Sequence, residues 1–318
     1  MRFRDTRGIP PTPVILDCDP GHDDAVALLL ALASPEVELV GVTTVCGNQT
    51  LDKTTANALR ILELAGRTDV PVHAGAARPF VRPRRVAAHV HGESGLDGPE
   101  LPPPATAARQ GHAVDFMAGQ IRARGGRLTL VPTGPLTNVG LLFATHEDAR
   151  PERIVLMGGA IGEGNRTPAA EFNIWADPEA AQRVFAEGLD TTMIGLDVTH
   201  RALIRDEHTE RLRVAGRVGK VVAELIDFYA RFHRKRYPDL GGSPMHDPVC
   251  IAHLIDPNLV EVRDAHIEVD CSGGSSWGRT NVDVRRREHL GAPNAKVGVS
   301  IDGERFAELI VERIATLG

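Results

Sequence analysis

The stretch VILDCDPGHDDAVALLLALAS, residues 14–34, decides how the fold is interpreted. Its first part is a short apolar run typical of a buried strand, and its second part has the length and composition of a helix. Between them lie four aspartates, Asp17, Asp19, Asp23 and Asp24. Two carboxylates about 4 Å apart repel each other by roughly 4 kcal/mol at an effective dielectric of 20. This crowding therefore needs a physical explanation.

The same alternation of strand and helix patterns continues along most of the chain. The further strand patterns are VELVGVTTV, RLTLVPT, RIVLMGG and DTTMIGLDV, and apolar or amphipathic helical stretches follow them. Repeated strand–helix units of this kind favour parallel strands joined by right-handed crossovers. The sequence therefore predicts an α/β fold with a doubly wound, mostly parallel central sheet flanked by helices.

The last third of the chain has a different pattern. VEVRDAHIEVDC and RTNVDVRR predict a small antiparallel addition near the C-terminus, and ERFAELIVERIATL predicts a closing helix. No stretch has the length and composition of a linker, so residues 1–318 are expected to form a single domain. Residues 78–104 are rich in Pro and Gly, and we expect a long loop without secondary structure, of the kind that usually has a function.

Composition points to an ordinary globular protein. Hydrophobic residues make up 42% and charged residues 25% of the chain, and the net charge of −6 does not favour a nucleic-acid or membrane partner. The four cysteines lie far apart without a CxxC pair, which argues against a zinc knuckle or a disulfide scaffold. The N-terminal residues lack an apolar signal-peptide core, and no apolar run reaches membrane-spanning length. We therefore expect a cytoplasmic protein.

Helix capping explains only part of the aspartate cluster. Asp23 and Asp24 fall in the first turn of the predicted helix, where the helix dipole favours an anion by about 0.3–1 kcal/mol. Asp17 and Asp19 gain nothing from that dipole, because they stand at the end of an apolar strand. A hard divalent cation such as Ca²⁺ or Mg²⁺ takes oxygen ligands and would offset the repulsion. The spacing therefore predicts a metal site.

Polar side chains also follow the other predicted strands. Because ligands of open parallel sheets bind beyond the carboxyl ends of the strands, these side chains are candidates for the same site. They are Asn48, Thr133, Asn165, Glu171 and Asn173. His246 and Asp247, just before the apolar helix VCIAHLI, are added to these candidates. Taken singly, the asparagines are typical of turns, and HDP is typical of an N-cap followed by proline. His89, His91 and Glu93 offer three zinc-type ligands, but the missing fourth ligand argues against zinc.

The motifs DCDPGHDDA, HGESGLDGP, VPTGPLTN, AEFNIWADPEAA, GLDVTH and HDP occur in this order along the chain. Together they resemble the inosine–uridine-preferring nucleoside hydrolase family over essentially the whole chain, and HGESGLDGP and GNRTPAAEFN are most similar to its pyrimidine-preferring bacterial ribonucleoside hydrolases. The resemblance implies a Rossmann-like fold, one Ca²⁺ per subunit, and hydrolysis of the N-glycosidic bond of ribonucleosides such as uridine, cytidine and inosine. It also implies a homodimer or homotetramer that acts in nucleoside salvage.

The resemblance assigns roles to individual residues. It implies that Ca²⁺ binds to Asp19, Asp24, Asp247 and the main-chain carbonyl of Thr133. Asp19 would also take a proton from the attacking water, which suits a reaction with an oxocarbenium-like transition state. His246 would protonate the leaving base.

The other assigned residues surround the substrate. Asp23 and Asn48 would hold the ribose hydroxyls, and Asp17 would orient its neighbours from behind. The further substrate-binding residues implied by the resemblance are Asn165, Glu171 and Asn173 at the sugar, together with His91, Met157, Phe172, Tyr229 and His233. Phe228 is expected as a further wall of the base pocket. Whether His233 or Tyr237 contacts the base is left open.

Two other functions compete with this one. A Mg²⁺-dependent phosphatase of the haloacid dehalogenase type also begins with a strand followed by D-x-D. Here, however, Pro20 and Gly21 follow Asp19, and no lysine stands at a matching strand end. A non-catalytic nucleoside-binding module would use the metal only to anchor the sugar diol and would need neither Asp19 nor His246. The presence of both residues favours an enzyme.

Overall fold

The computed structural model describes residues 10–285 and 291–318. Its strands are β1 (Thr12–Cys18), β2 (Val37–Thr44), β3 (Val72–Ala74), β4 (Thr129–Pro132), β5 (Arg153–Met157), β6 (Thr191–Ile194), β7 (Leu203–Ile204), β8 (Ser243–Pro244), β9 (Val260–Val269), β10 (Thr280–Asp283) and β11 (Ala295–Ile301). Its α-helices are α1 (His22–Leu32), α2 (Leu51–Leu64), α3 (Ala88–His91), α4 (Ala113–Ala123), α5 (Thr137–Thr145), α6 (Phe172–Ala176), α7 (Pro178–Phe185), α8 (Leu196–Thr199), α9 (Asp206–Arg213), α10 (Gly216–Arg236), α11 (Pro248–Ile255) and α12 (Gly303–Ile314). In these ranges no helix has the length and apolar character needed to cross a membrane.

Nine of the described strands form one central sheet, in the order β10-β9-β11-β6-β5-β4-β1-β2-β3. Neighbouring strands pair in parallel from β3 to β11, and β9 pairs antiparallel with both β11 and β10. The predicted mostly parallel sheet and its small antiparallel addition near the C-terminus are therefore confirmed. β7 and β8 pair separately.

Some details differ from the sequence prediction. β11 is not predicted from the sequence, and it pairs in parallel with β6. The last residues of DTTMIGLDV belong to α8, because the chain turns at Gly195. The segment 78–104 contains α3 and is not without secondary structure. Residues 1–9, which bear on the signal peptide, and Arg286, the last residue of RTNVDVRR, lie outside the described residues.

The sheet has an apolar core on each face. Alternate residues of a strand point to opposite faces, so Val14 and Leu16 of β1 pack into one core and Ile15 packs into the other. Helices α1, α2, α10, α11 and α12 contribute to the first core, and α4, α5 and α7 contribute to the second. Because both faces of β1 are buried, its sequence is a continuous apolar run rather than an alternating one.

β1 lies at the point where the strand order reverses. β2 and β3 extend the sheet to one side of β1, and β4, β5 and β6 extend it to the other. The crossovers separate at this point and leave a crevice beyond the carboxyl ends of β1 and β4, where doubly wound proteins bind ligands. Asp17 and Asp19 lie at the end of β1, and Thr133 directly follows β4. The fold therefore places the predicted polar residues at its ligand-binding edge.

Candidate active site

Asp17 is buried behind the candidate site and connects several elements. Its Oδ1 accepts hydrogen bonds from the Thr43 hydroxyl at 2.7 Å and from the Asn138 amide at 2.8 Å. Its main-chain carbonyl accepts the N–H of Thr133 at 2.8 Å. Burial raises the pKa of the Asp17 carboxyl to about 7. These contacts join β1 to β2, to α5 and to the residue after β4, so Asp17 holds the strand ends that carry the site.

Asp19 is fully buried between two glycines. Its Oδ2 accepts the main-chain N–H of Asn48, whereas its Oδ1 has no hydrogen-bond partner within residues 10–285 and 291–318. A Cβ atom at Gly47 would lie 2.0 Å from Asp19 Oδ2, and one at Gly134 would lie 2.6 Å from Oδ1. Both glycines are therefore needed for the backbone to approach this carboxylate. A buried carboxylate oxygen without a protein partner is the arrangement expected at a cation site.

Three further carboxylates converge on one point. Asp23, Asp24 and Asp247 are buried, and one oxygen atom of each lies within 4.8 Å of the others. Asp23 and Asp24 come from the first turn of α1, and Asp247 directly precedes α11. The fold thus joins the opening motif to HDP near the other end of the chain.

Capping accounts for one of these three carboxylates. Asp24 accepts the N–H of Gly21 at 3.0 Å, as the capping interpretation requires. Asp23 accepts the Tyr229 hydroxyl at 3.4 Å. Asp247 occupies the N-cap position of α11, but its side chain makes no capping hydrogen bond. The HDP sequence is therefore more than a helix start, because the Asp247 carboxylate joins the acidic cluster.

The acidic cluster carries an electrostatic cost that a cation would offset. Burial, followed by repulsion between carboxylates, raises the pKa of Asp23 to about 7 and raises the pKa values of Asp19 and Asp247 well above their usual range. Burial also raises the pKa of Asp24. Among the described residues that line the site, Arg166 is the only lysine or arginine, and it is exposed. A divalent cation would keep these carboxylates ionised, so the residues present fit a metal site.

Two asparagines hold the groups around this cluster. Asn48 donates from its side-chain amide to Asp24 Oδ2 at 3.0 Å. The Asn173 amide donates to the main-chain carbonyl of Thr133 at 2.7 Å and to that of Met157 at 3.2 Å. The resemblance assigns the Thr133 carbonyl to Ca²⁺ and Asn173 to the sugar. In the structure, the Asn173 amide orients this carbonyl at the site.

Glu171 caps α6 at the wall of the site. Its Oε1 accepts the N–H of Asn173 at 2.8 Å, and its Oε2 accepts the N–H of Gly159 at 2.9 Å. Burial raises the pKa of Glu171 to about 7. Asn165 Oδ1 accepts the N–H of Phe172 at 2.9 Å. Glu171 and Asn165 thus order the turn before α6 while they line the site.

His91 is held by His22. The main-chain N–H of His22 donates to His91 Nδ1 at 3.2 Å, and the His22 Nε2 donates to the Asp97 carbonyl at 2.8 Å. The sequence predicts that Phe228 lines the base pocket, and this prediction is wrong. Phe228 stacks on His22, with ring centroids 5.1 Å apart, and is not among the residues that line the cleft. The sequence alone indicates no role for His22 or Asp97, although they belong to the motifs DCDPGHDDA and HGESGLDGP.

A group of rings forms another wall of the site. The ring centroid of His233 lies 4.2 Å from that of Tyr229, 6.2 Å from that of Tyr237 and 6.1 Å from that of His246. His246 Nδ1 lies 2.7 Å from the Thr199 hydroxyl. Burial lowers the pKa of His233 to about 4 and lowers that of His246 well below its usual range.

These groups open into one cleft of about 710 Å³. The predicted site residues that line it are Asp23, Asn48, His91, Thr133, Met157, Asn165, Glu171, Phe172, Asn173, Tyr229, His233, His246 and Asp247, and Tyr237 lines it too. Asp17, Asp19 and Asp24 lie beneath its wall and are fully buried. The lining residues that the sequence analysis did not assign to substrate binding are Ala87, His89, Val90, Arg166, His200 and Phe232. The motif GLDVTH, which ends at His200, is the signal that could have identified one of them.

The doubly wound sheet, the cleft at its switch point and the buried acidic cluster form a ligand-binding site that could hold a metal ion. The model of the inosine-uridine preferring nucleoside hydrolase family matches residues 14–308, and the chain belongs to this family. It is therefore an N-glycosidase that hydrolyses ribonucleosides. The resemblance carried by the ordered motifs is confirmed, and the phosphatase and the non-catalytic module are excluded.

Individual relatives agree with this assignment. The pyrimidine-specific ribonucleoside hydrolase RihA of Shewanella sp. (strain ANA-3) is 52% identical over 307 residues, which cover 95% of this chain and 96% of the relative. RihA of Escherichia coli O9:H4 (strain HS) is 48% identical over 305 residues, which cover 95% and 98% of the two chains. Among solved structures, the purine-preferring ribonucleoside hydrolase from Gardnerella vaginalis matches with a TM-score of 0.90 and 36% identity, over 96% of this chain and 98% of its own. The similarity thus extends over nearly the whole length of each protein.

Proposed function

We propose that the protein catalyses the Ca²⁺-dependent hydrolysis of uridine and cytidine to ribose and free base, with inosine as a further substrate. The observation that carries this proposal is the buried cluster of Asp23, Asp24 and Asp247 beside Asp19, whose Oδ1 has no hydrogen-bond partner in the described part of the chain. The pyrimidine preference is supported by the names of the relatives at 48–52% identity, whereas the purine-preferring neighbour is 36% identical.

One Ca²⁺ per subunit is assigned to Asp19, Asp24, Asp247 and the main-chain carbonyl of Thr133. This donor set consists entirely of oxygen atoms, which suits a hard cation. When bound, Ca²⁺ makes a coordinated water more acidic and orients the sugar diol. Asp17 keeps the strand ends in register behind these ligands through its contact with the Thr133 N–H.

Asp19 is the proposed base. Its Oδ1 is buried and has no hydrogen-bond partner in the described ranges, so it can accept a proton from the attacking water. Departure of the base builds positive charge on the ribose, and the neighbouring carboxylates of Asp23, Asp24 and Asp247 stabilise that charge. His246 stabilises the charge that develops on the leaving base.

The remaining cleft residues bind and orient the substrate. Asp23 and Asn48 bind the ribose hydroxyls, and Asn165, Glu171 and Asn173 bind the rest of the sugar. The residues proposed to line the base pocket and its approach are His91, Met157, Phe172, Tyr229 and His233. Because the fold already holds these side chains in place, the bound substrate is oriented for attack and the reaction becomes effectively unimolecular. A 2′-deoxyribonucleoside would leave buried polar groups unpaired and should react poorly.

We also propose the setting in which the enzyme acts. The uninterrupted central sheet supports a single domain over residues 1–318. All four cysteines are free, which supports a reducing compartment such as the cytoplasm. A homodimer or homotetramer and a role in nucleoside salvage complete the proposal, on the basis of family membership.

The proposed function is tested by the release of reducing sugar from uridine, cytidine, inosine and 2′-deoxyuridine. Each substrate is assayed with the enzyme as purified, after chelation, and after Ca²⁺ is added back. We expect the ribonucleosides to react, 2′-deoxyuridine to react poorly, and chelation to stop turnover reversibly. Turnover that a chelator leaves unchanged would contradict the metal. Hydrolysis of nucleotides in preference to nucleosides would contradict the substrate class.

A further inference from the structure

Thr199, at the end of α8, contacts the imidazole ring of His246. Its hydroxyl oxygen lies 2.7 Å from His246 Nδ1, and both side chains are buried. Thr199 has no solvent-accessible surface. It belongs to the motif GLDVTH, but the sequence alone indicates no role for it.

The donor in this hydrogen bond can be identified. The proton of a buried hydroxyl group needs an acceptor. Within residues 10–285 and 291–318, Thr199 Oγ1 has no hydrogen-bond partner except His246 Nδ1. The carbonyl of Gly195, one turn earlier, receives the main-chain N–H groups of Val198 and Thr199. The Thr199 hydroxyl therefore donates to Nδ1, and Nδ1 carries no proton.

An imidazole whose Nδ1 accepts a hydrogen bond carries its ring proton on the other nitrogen, so the proton of His246 is on Nε2. In the described part of the chain Nε2 makes no hydrogen bond to the protein, and His246 lines the cleft. The ring centroids of His200 and His233 lie 5.6 and 6.1 Å from that of His246, and neither ring is hydrogen-bonded to it. The Nε2–H group is thus available to a ligand in the cleft.

We propose that Thr199 is a positioning residue that holds His246 in the Nε2–H tautomer, so that the imidazole donates a hydrogen bond from Nε2 to the departing base. This inference rests on the proposed function, because it takes the base to lie against His246. As the C1′–N bond breaks, its electron pair moves to the base, where the hydrogen bond stabilises the charge. Water supplies a hydroxyl group to C1′ and a proton to Asp19. His246 keeps its proton, and the base takes one from solvent as Asp19 returns its own.

The kinetic test uses Thr199→Val, which has nearly the same size but no hydroxyl group. With uridine we expect kcat to fall about tenfold at unchanged KM. Removing a hydrogen-bond donor to the reacting atoms typically lowers kcat by roughly 100- to 1,000-fold. The loss in Thr199→Val should be smaller, because some of the enzyme molecules still carry the His246 proton on Nε2. With an activated nitrophenyl riboside, whose leaving group needs no such donor, kcat should hardly change. Thr199→Ser restores a hydroxyl group and should recover most of the activity.

Thr209→Val is the matched control. Its buried hydroxyl bonds to the Arg205 carbonyl and lies outside the cleft, so kcat should be unaffected on both substrates. Equal losses on uridine and nitrophenyl riboside in Thr199→Val would mean that Thr199 is only structural and would overturn the proposal. An unchanged kcat for uridine would overturn it as well.

Nitrogen-15 NMR of the histidine-labelled enzyme reads the tautomer without turnover. The His246 signals are assigned by their loss in His246→Gln. We expect the Nε2–H form in the unmodified protein at neutral pH and a mixture of tautomers in Thr199→Val. An Nδ1–H or doubly protonated ring in the unmodified protein, or the same tautomer in both proteins, would overturn the proposal. If uridine is not hydrolysed at all, the proposed function fails, whereas this measurement still decides the role of Thr199.

Discussion

The side-chain amide of Asn173 donates a hydrogen bond of 2.7 Å to the main-chain carbonyl of Thr133. The same amide donates to the carbonyl of Met157 at 3.2 Å. α6 is thereby tied to the ends of β4 and β5, beside the point where the strand order reverses. Under the proposed function, Asn173 binds the sugar and also orients the Thr133 carbonyl, which binds the metal. A change at the sugar-binding residue should therefore also alter the metal site.

Replacing Asn173 by alanine should therefore affect both stability and metal binding. The buried carbonyls of Thr133 and Met157 lose their shared donor, which costs about 1–3 kcal/mol of the free energy of unfolding. We expect this loss in chemical denaturation, together with weaker Ca²⁺ binding. Asn173→Asp has the same size but cannot donate, and should lose at least as much. Normal Ca²⁺ binding in both variants would contradict the coupling.

Ca²⁺ should stabilise the folded chain measurably. A ligand that binds only the folded state at 100 times its Kd adds about 2.7 kcal/mol to the free energy of unfolding, which thermal melting detects. Asp24→Asn removes one charge from the buried cluster and should lose most of this shift. Asp69→Asn, at a surface carboxylate that is 64% exposed and pairs with Arg67, should keep it. An equal shift in Asp24→Asn would speak against the assigned ligands.

The position of the acidic cluster could be predicted because it follows from topology. Asp19 ends an apolar run, and parallel sheets bind ligands beyond the ends of such runs. Capping was predicted for Asp23 and Asp24 together, and of the two Asp24 accepts the Gly21 N–H. Asp247 is a candidate for the same site from its place in the chain, but its role as a metal ligand is implied only by the family resemblance, since nothing local in HDP distinguishes a ligand from an N-cap.

What the sequence did not reveal depends on packing between distant segments. Phe228 is aromatic and precedes Tyr229, but the packing of α10 beside α1 places it on His22 rather than in the cleft. The sequence does not predict β11, because Gly298 interrupts its apolar pattern. That glycine is explained only by the fold, since a Cβ atom there would lie 2.9 Å from Val198. The role of Thr199 likewise depends on a partner 47 positions away.

Asp19→Asn should nearly abolish turnover. The change removes the proposed base and one charge of the cluster, while asparagine can still accept the Asn48 N–H. Loss of a general base lowers kcat by about 100- to 10,000-fold, and we expect uridine hydrolysis to fall within or below that range. Asp17→Asn changes a carboxylate that lies behind the site, and its kcat should fall less. Near-normal turnover of Asp19→Asn would refute its role as the base, provided that its thermal melting shows an intact fold.

His246→Ala should discriminate between leaving groups. Without a donor at the base, we expect kcat on uridine to fall by roughly 100-fold or more, whereas an activated nitrophenyl riboside should react at nearly the original rate. His253→Ala is the control, because His253 belongs to the same helix, α11, but does not line the cleft. Equal losses on both substrates would show that His246 has a structural role only.

The stability of the protein should depend on pH through His233. Burial lowers the pKa of His233 to about 4, whereas an unfolded histidine titrates near 6.5. Between these values the unfolded state binds more protons, so the free energy of unfolding falls as the pH is lowered. Between pH 7 and pH 4.5 this single group should account for about 2 kcal/mol of the loss.

His233→Gln lacks this contribution, so its stability should fall less over the same interval in chemical denaturation. His266→Gln is the control for the direction of this effect. The hydrogen bond to the Ala292 carbonyl raises the pKa of His266, so this variant should not reduce the loss of stability in acid. An identical pH dependence in the unmodified protein and in His233→Gln would show that His233 is not held neutral by burial.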